Sequence, residues 1–279
     1  MAEPTYDPSL FPAELKPELA KFEATRRAFV AIEPSPGNTS PVGSHFRGQP
    51  YWPAGLDYPV DQDGNEMILL AQIHFSEVPN LPDYPESGLL QFFISPSEAD
   101  DHMWGMIFDE QDFTAGLLRQ EYFRVIFHPD ITADADLRTS FPGPETFLPI
   151  DGEMSLRFEV AEEVVKPVDR EFKALMGEEP WPYFERLGEE ATEHFNGYFS
   201  ATEPRPPAKI GGYGDFAQDD PRPKDPEEDW VILLWIDSFY LDENHQALWG
   251  DAGTAVFAIE RDRLIDRDFS RVLYSWDSH

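Results

Sequence analysis

The chain has 279 residues, 54 acidic against 21 basic side chains, a formal net charge of −33, 41% apolar and 14% aromatic residues, and no cysteine. The missing cysteine excludes a disulfide-stapled scaffold, a thiolate metal site and a thiol nucleophile. The deficit of positive charge excludes a protein that grips nucleic acid through its phosphates, since such binding depends on Lys and Arg displacing counterions.

The length allows one large domain or two smaller ones, and 22 Phe, 10 Tyr and 7 Trp supply ample apolar surface for a core. The start, Met1-Ala2-Glu3-Pro4, has acid and proline where a signal peptide needs a basic and then an apolar stretch, so a cytoplasmic location is expected. From Pro12 to Ile32, Leu15, Leu19, Phe22, Ala28 and Phe29 recur near helical spacing and predict one amphipathic helix, with Pro17 at a break; Pro34 to Asn38 ends it. Strands are predicted at Met67 to Phe75, Leu89 to Ile94 and Phe123 to Phe127, a loop over 129–153, and a strand from Met154 to Val165 in which Leu156, Phe158 and Val160 alternate with polar residues. A second helix is predicted over Pro182 to Phe199, where Phe184, Leu187, Ala191, Phe195 and Tyr198 make one apolar stripe, followed by a proline-rich break from Thr202 to Pro207. The most compact apolar run, Val231 to Ile236, has the length of a strand and is far too short to span a bilayer.

Two stretches share an order. Phe46-Arg47-Gly48, then Met67 to Ile73, then Gly88 to Ile94 parallels Ile210-Gly211-Gly212, then Val231 to Asp237, then Gly253 to Ile259. Leu70 to Gly88 spans 18 positions and Leu234 to Gly253 spans 19. The fold expected is α+β, with two β-rich repeats arising by internal duplication and N-terminal and central helices. Its parts are a helical extension over 1–40, a first repeat over 41–166, a helical connection over 167–203 and a second repeat over 204–279, with a cleft where the repeats meet.

Gly48-Gln49-Pro50-Tyr51-Trp52-Pro53, Leu69 to Ile73, Leu81-Pro82 and Gly88 to Ile94 resemble the N-terminal signature of the YwqG-like family. Ile210-Gly211-Gly212-Tyr213, Gln218-Asp219, Leu233-Leu234, Trp249 to Gly253 and Asp268-Phe269-Ser270 resemble its C-terminal signature. Trp235 stands where that family usually has Gln. The resemblance covers about residues 40 to 275 and implies an α+β fold with a duplicated β core, without implying an activity.

In Trp249-Gly250-Asp251-Ala252-Gly253, the glycines permit a tight turn and Asp251 can bond nearby amides; the other reading is an aromatic platform beside a carboxylate, suited to a cation. Gly211 to Gly214 is preceded by prolines and followed by acids, which is the wrong setting for a phosphate cradle. Asp61 to Glu66 has carboxylates at alternating positions, but Gln72 falls where a calcium loop needs its bidentate acid, so a hairpin turn is expected. Seven histidines, His279 among them, lack zinc spacing. No Gly-x-Ser-x-Gly elbow, Walker loop or kinase signature occurs. No catalytic residue, metal or cofactor is therefore expected.

Loop tryptophans among carboxylates fit a surface that meets an Arg- or Lys-rich partner, with Trp52, Gln72, Trp104, Tyr213, Trp249 and Asp251 as the candidate residues for ligand or partner binding. The expected role is a monomeric, non-enzymatic acidic protein-binding protein, of immunity or antitoxin type, that neutralises a basic protein. The alternatives are an enzyme or small-ligand receptor using the inter-repeat cleft, and a nucleic-acid mimic.

Overall fold

In the computed structural model of the chain, the described residues are 6, 8–37, 39–99, 101–132, 136–143, 147–188, 190–202, 205–225 and 227–278. The expectations resting on Met1 to Pro4, Asn38, Glu203, Pro204 and His279 lie outside them.

The N-terminal helix is far shorter than its periodicity predicts. A single 3-10 turn at Lys16–Glu18 leads into α1 (Leu19–Glu23), and the chain then enters a ten-residue strand, β1 (Arg27–Pro36). Thr25 makes the transition: its hydroxyl donates to the Phe22 carbonyl at 2.7 Å and accepts the Val165 amide at 3.0 Å. Beyond it, Val30 and Ile32 point into the main core with the period of two that β-branched residues favour, so the apolar positions after residue 26 belong to a strand. Pro34 and Pro36 do not end the element. The neighbouring strand β8 pairs only with Phe29 to Ile32, so at the prolines one side of β1 is open and no ladder bond is forfeited.

The remaining strands are β2 (His45–Phe46), β3 (Ile68–His74), β4 (Leu89–Ile94), β5 (Phe123–His128), β6 (Ile150–Asp151), β7 (Met154–Glu163), β8 (Ala208–Gly211), β9 (Trp230–Asp237), β10 (Phe239–Asp242), β11 (His245–Ala247), β12 (Thr254–Glu260) and β13 (Val272–Trp276). Of these, the apolar pattern of the sequence predicts β3, β4, β5, β7, β9 and β12. β7 alternates only in part: Leu156 and Phe158 lean on the core, whereas Val160 is exposed.

Ten strands form one antiparallel sheet in the order β13-β12-β9-β8-β1-β7-β2-β3-β4-β5, and β10-β11-β6 form a small second sheet. From the central β1–β7 pair, one wing runs outward through β2, β3, β4 and β5 and the other through β8, β9, β12 and β13. The sheet bends until the wings face each other. Phe92 of β4 meets Phe257 of β12 with ring centroids 4.7 Å apart, and Phe123 of β5 meets Tyr274 of β13 at 5.2 Å. The junction between the wings is thus packed with aromatic side chains.

The second helical region holds α3 (Phe172–Met176), α4 (Pro180–Glu185) and α5 (Ala191–Ala201), and the one helix predicted over Pro182 to Phe199 is divided between α4 and α5. Gly188 interrupts it with a φ of 154°, which a residue carrying Cβ rarely adopts. α2 (Phe113–Leu117) and α6 (Arg261–Asp266) lie in loops of the two wings. α1 and the N-terminal turn pack with α3, α4 and α5 around Phe11, Leu15, Phe22, Phe172, Tyr183, Phe184 and Tyr198, a second core beside the sheet. No helix among the described residues is long and apolar enough to cross a membrane.

Candidate functional site

The structure scatters the six candidate residues and buries most of them. Trp52 is 3% exposed on the outer face of the first wing, edge-on to Tyr58, Phe93 and His128, with its indole N–H on the Leu56 carbonyl at 3.1 Å. Trp104 and Trp249 touch edge to face at 6.0 Å inside the main core. Tyr213 lies in the helical core, its hydroxyl on the Thr25 carbonyl at 2.6 Å. The expectation of exposed loop indoles is therefore corrected at Trp52, Trp104 and Trp249, all buried; Trp230 and Trp235 are buried as well, whereas Trp181 is 50% exposed.

Asp251 is exposed, and no hydrogen bond reaches its carboxylate among the described residues, so it does not fix its turn. The turn is closed instead by the Gly253 amide on the Trp249 carbonyl at 2.7 Å, and a Cβ at Gly253 would stand 1.7 Å from the Asp277 carbonyl oxygen.

Gln72 is the hub of a buried polar network. Its Oε1 accepts the Tyr51 amide at 2.9 Å and the Gln91 side-chain amide at 2.8 Å; its Nε2 donates to the carbonyls of Pro41 at 3.0 Å and Gly43 at 2.8 Å. Gln91 continues to His128 at 3.0 Å. Bonds from Gln72 thus hold the 41–53 segment against β3 and β4, and Trp52 packs edge-on to His128 at the far end of the network.

Two ionic clusters sit where the second wing meets the helical layer. In the first, fully buried Arg222 donates to Asp169 at 2.7 Å and Asp220 at 2.6 Å; burial alone would lower its pKa, and the two carboxylates reverse that and raise it. In the second, Lys209 donates to both oxygens of Glu163 at 2.7 and 2.9 Å over the faces of Phe29 and Trp235, while Lys166 donates to the Thr202 carbonyl at 2.9 Å. Burial pushes the Lys166 ammonium below its ordinary pKa. Arg205 closes this cluster, 3.4 Å from Asp215 and 3.7 Å from Asp237.

These clusters also settle the Gly211 to Gly214 segment. The amides of Tyr213 and Gly214 donate to the carboxylates of Glu163 and Asp169. The protein's own anions stand where a phosphate would have to bind. Asp61 is spent likewise: burial would raise its pKa, but the Ser95 hydroxyl and the amides of Asn65 and Asp63 hold it below the ordinary value in a hairpin turn. No group of three or more His, Asp or Glu among the described residues is arranged to hold a metal ion.

A cleft of about 1100 Å³ opens between α3, α4 and α5 on one side and residues 218–225 and 228–230 on the other. Asp169 and Asp220 of the first ionic cluster form part of its wall. Arg170 ties the far side in place, donating to the carbonyls of Glu228 at 3.0 Å and Asp225 at 2.6 Å. The rim carries Trp181, Glu179, Asp219, Glu228 and Asp229, with Lys173 and Lys224 as counter-charges. Trp181 is held by its indole N–H on Glu185 at 2.7 Å, and no partner reaches the Asp219 carboxylate among the described residues. None of the six candidate residues lines this cleft. The available signal was the setting of Trp181, an indole between Pro180 and Pro182 with Glu178, Glu179 and Glu185 around it.

The fold and this site define an acidic α+β protein built on one bent antiparallel sheet, with two buried ionic clusters and an acid-rimmed cleft beside its helical layer. A family model described as Domain of unknown function (DUF1963) matches residues 44–278, and the chain belongs to that family. Comparison with curated proteins returns no match.

Proposed function

We propose that this chain is an acidic protein-binding protein of immunity or antitoxin type, whose principal role is to capture a basic partner at the cleft between the helical layer and residues 218–225 and 228–230. The observation that carries the reading is the half-exposed Trp181 ring on a rim otherwise dominated by carboxylates. An aromatic anchor desolvates against the partner and stacks on guanidinium groups, while the surplus of acid over the whole chain accelerates encounter and makes it salt-sensitive. The chain is read as a YwqG-like member of its family, acting in the cytoplasm as a monomer.

The two wings are further inferred to be copies of one duplicated unit. Three features support this. The strand order outward from the centre is the same in both. Val30 stands between Val160 and Ile210 as Met154 stands between Pro36 and Phe46. Each wing has one bulge, at Leu70 in β3 and Leu233 in β9, and each has two successive residues of positive φ after its first strand begins, Arg47-Gly48 and Gly211-Gly212. On this reading Leu70 corresponds to Leu233, one position from the Leu234 of the sequence parallel.

The binding role is tested by titrating the full-length protein with an oligo-arginine peptide and an oligo-glutamate control. The expected result is binding of the cationic peptide alone, weaker at higher salt, with Trp181→Ala costing about tenfold or more in affinity. Affinity unaffected by both Trp181→Ala and Asp219→Asn would overturn the assignment of the cleft.

A further inference from the structure

After β4, three side chains, Ser97, Asp101 and His102, form a hydrogen-bonded series. Ser97 Oγ lies 2.8 Å from His102 Nε2, and His102 Nδ1 lies 2.7 Å from Asp101 Oδ1. With the Nδ1 proton donated to the carboxylate, Nε2 is left as the acceptor of the serine hydroxyl proton. That is the polarity of a nucleophile, its base and the group that orients the base.

The supporting contacts are specific. The His102 ring is stacked on Tyr122, with centroids 3.8 Å apart and planes at 21°. The serine backbone is held through Ser95, whose hydroxyl donates to Asp61 at 2.7 Å and accepts the Ser97 amide at 3.0 Å, and whose own amide donates to the Tyr122 carbonyl at 2.7 Å. A serine-closed turn needs only the bond from the Ala99 amide to Ser97 Oγ at 3.3 Å. The imidazole on the hydroxyl and the carboxylate behind it go beyond what the turn requires. Ser97 is half-buried, the His102 side chain is 11% exposed and the Asp101 side chain is 79% exposed, so the series runs from the protein interior out to its surface. The amide of Glu98, one residue past the serine, donates no hydrogen bond among the described residues, which leaves a backbone N–H unspent beside the hydroxyl.

We propose that Ser97 and His102 are catalytic residues for acyl transfer from small neutral or cationic carboxylic esters, with Asp101 as the positioning residue. The flanking carboxylates of Glu98 and Asp101 disfavour anionic substrates. Ser97 Oγ adds to the ester carbonyl carbon as its proton passes to His102 Nε2. The tetrahedral adduct then expels the alcohol, which takes that proton as the carbon–oxygen bond to it breaks. Water, deprotonated by the same nitrogen, cleaves the acyl-serine to the carboxylic acid and restores the hydroxyl. None of these residues lines the cleft, so this activity and the binding role fail or stand separately.

The test is labelling of the full-length protein with a fluorophosphonate probe, read by intact mass and peptide mapping, together with hydrolysis of p-nitrophenyl acetate. The label is expected on Ser97 and absent in Ser97→Ala, and His102→Gln is expected to slow labelling about 100-fold or more. Asp101→Asn should retain labelling at a lower rate with a displaced pH profile, which loss of a merely structural contact would not produce. Absence of label from Ser97 in protein shown to be folded by circular dichroism overturns the proposal, as does His102→Gln labelling as fast as the parent. An unchanged pH profile in Asp101→Asn removes Asp101 from it.

Discussion

Asp237 offers a direct test of how the second ionic cluster is held together. It ends β9 with its side chain 18% exposed, accepts the Ser238 amide at 2.9 Å, and has Arg205 at 3.7 Å. Burial pushes its pKa from 3.8 up to about 6, the attraction of Arg205 offsetting only part of the desolvation while Asp215 and Asp277 add to the rise. Between those two values the folded protein retains a proton that the unfolded chain has released. Unfolding therefore releases protons in that window, and stability falls as pH rises through it. Below the lower value both states are protonated and the contribution vanishes; above the upper value the whole cost is present. A rise of that size is worth about 3 kcal/mol. Asp237→Asn carries no charge and can keep the Ser238 bond. Urea unfolding followed by tryptophan fluorescence should show parent and variant equal near pH 4, with the variant more stable by up to about 3 kcal/mol near pH 7.5. A difference of the same size at both pH values, or a variant less stable at the higher one, would refute the reasoning.

Two further substitutions probe the scaffold that positions the cleft and the first wing. Arg222→Met leaves the buried carboxylates of Asp169 and Asp220 without their cation and should cost about 3–5 kcal/mol in urea unfolding; a loss below about 1 kcal/mol would mean that the cluster is wetter than its geometry implies. Gln72→Leu strands the Tyr51 amide and the Gln91 side chain, and should cost about 2–4 kcal/mol with faster hydrogen exchange in residues 41–53, detected by mass spectrometry.

Strand identities were legible wherever apolar runs of strand length were bounded by Gly, Pro or Asp, as at Leu89 to Ile94 and Val231 to Ile236. There local pattern and tertiary demand coincide. They parted at Arg27–Pro36. Leu15, Leu19 and Phe22 begin a helical stripe, and Ala28 and Phe29 continue its spacing by coincidence, while the strand exists because β7 and β8 lie on either side to pair with it. The same limit applied to the tryptophans. Proline and glycine neighbours mark Trp52 and Trp249 as loop residues, but whether a loop indole is wet depends on what packs over it from elsewhere in the chain.

Sequence by itself determined the acidity, the absence of thiol chemistry, the positions of the long apolar strands β3, β4, β9 and β12 and the parallel order of two stretches, because these reside in composition and in contacts between near neighbours. Only the tertiary structure decided that the wings pack face to face, that Glu163 and Asp169 occupy the Gly211–Gly214 amides, and that Trp181 borders an open cleft while the candidate indoles are buried. Burial and ion pairing join residues far apart along the chain, such as Asp169 and Arg222, and a side chain's surroundings are set by those distant partners once the backbone has brought them together.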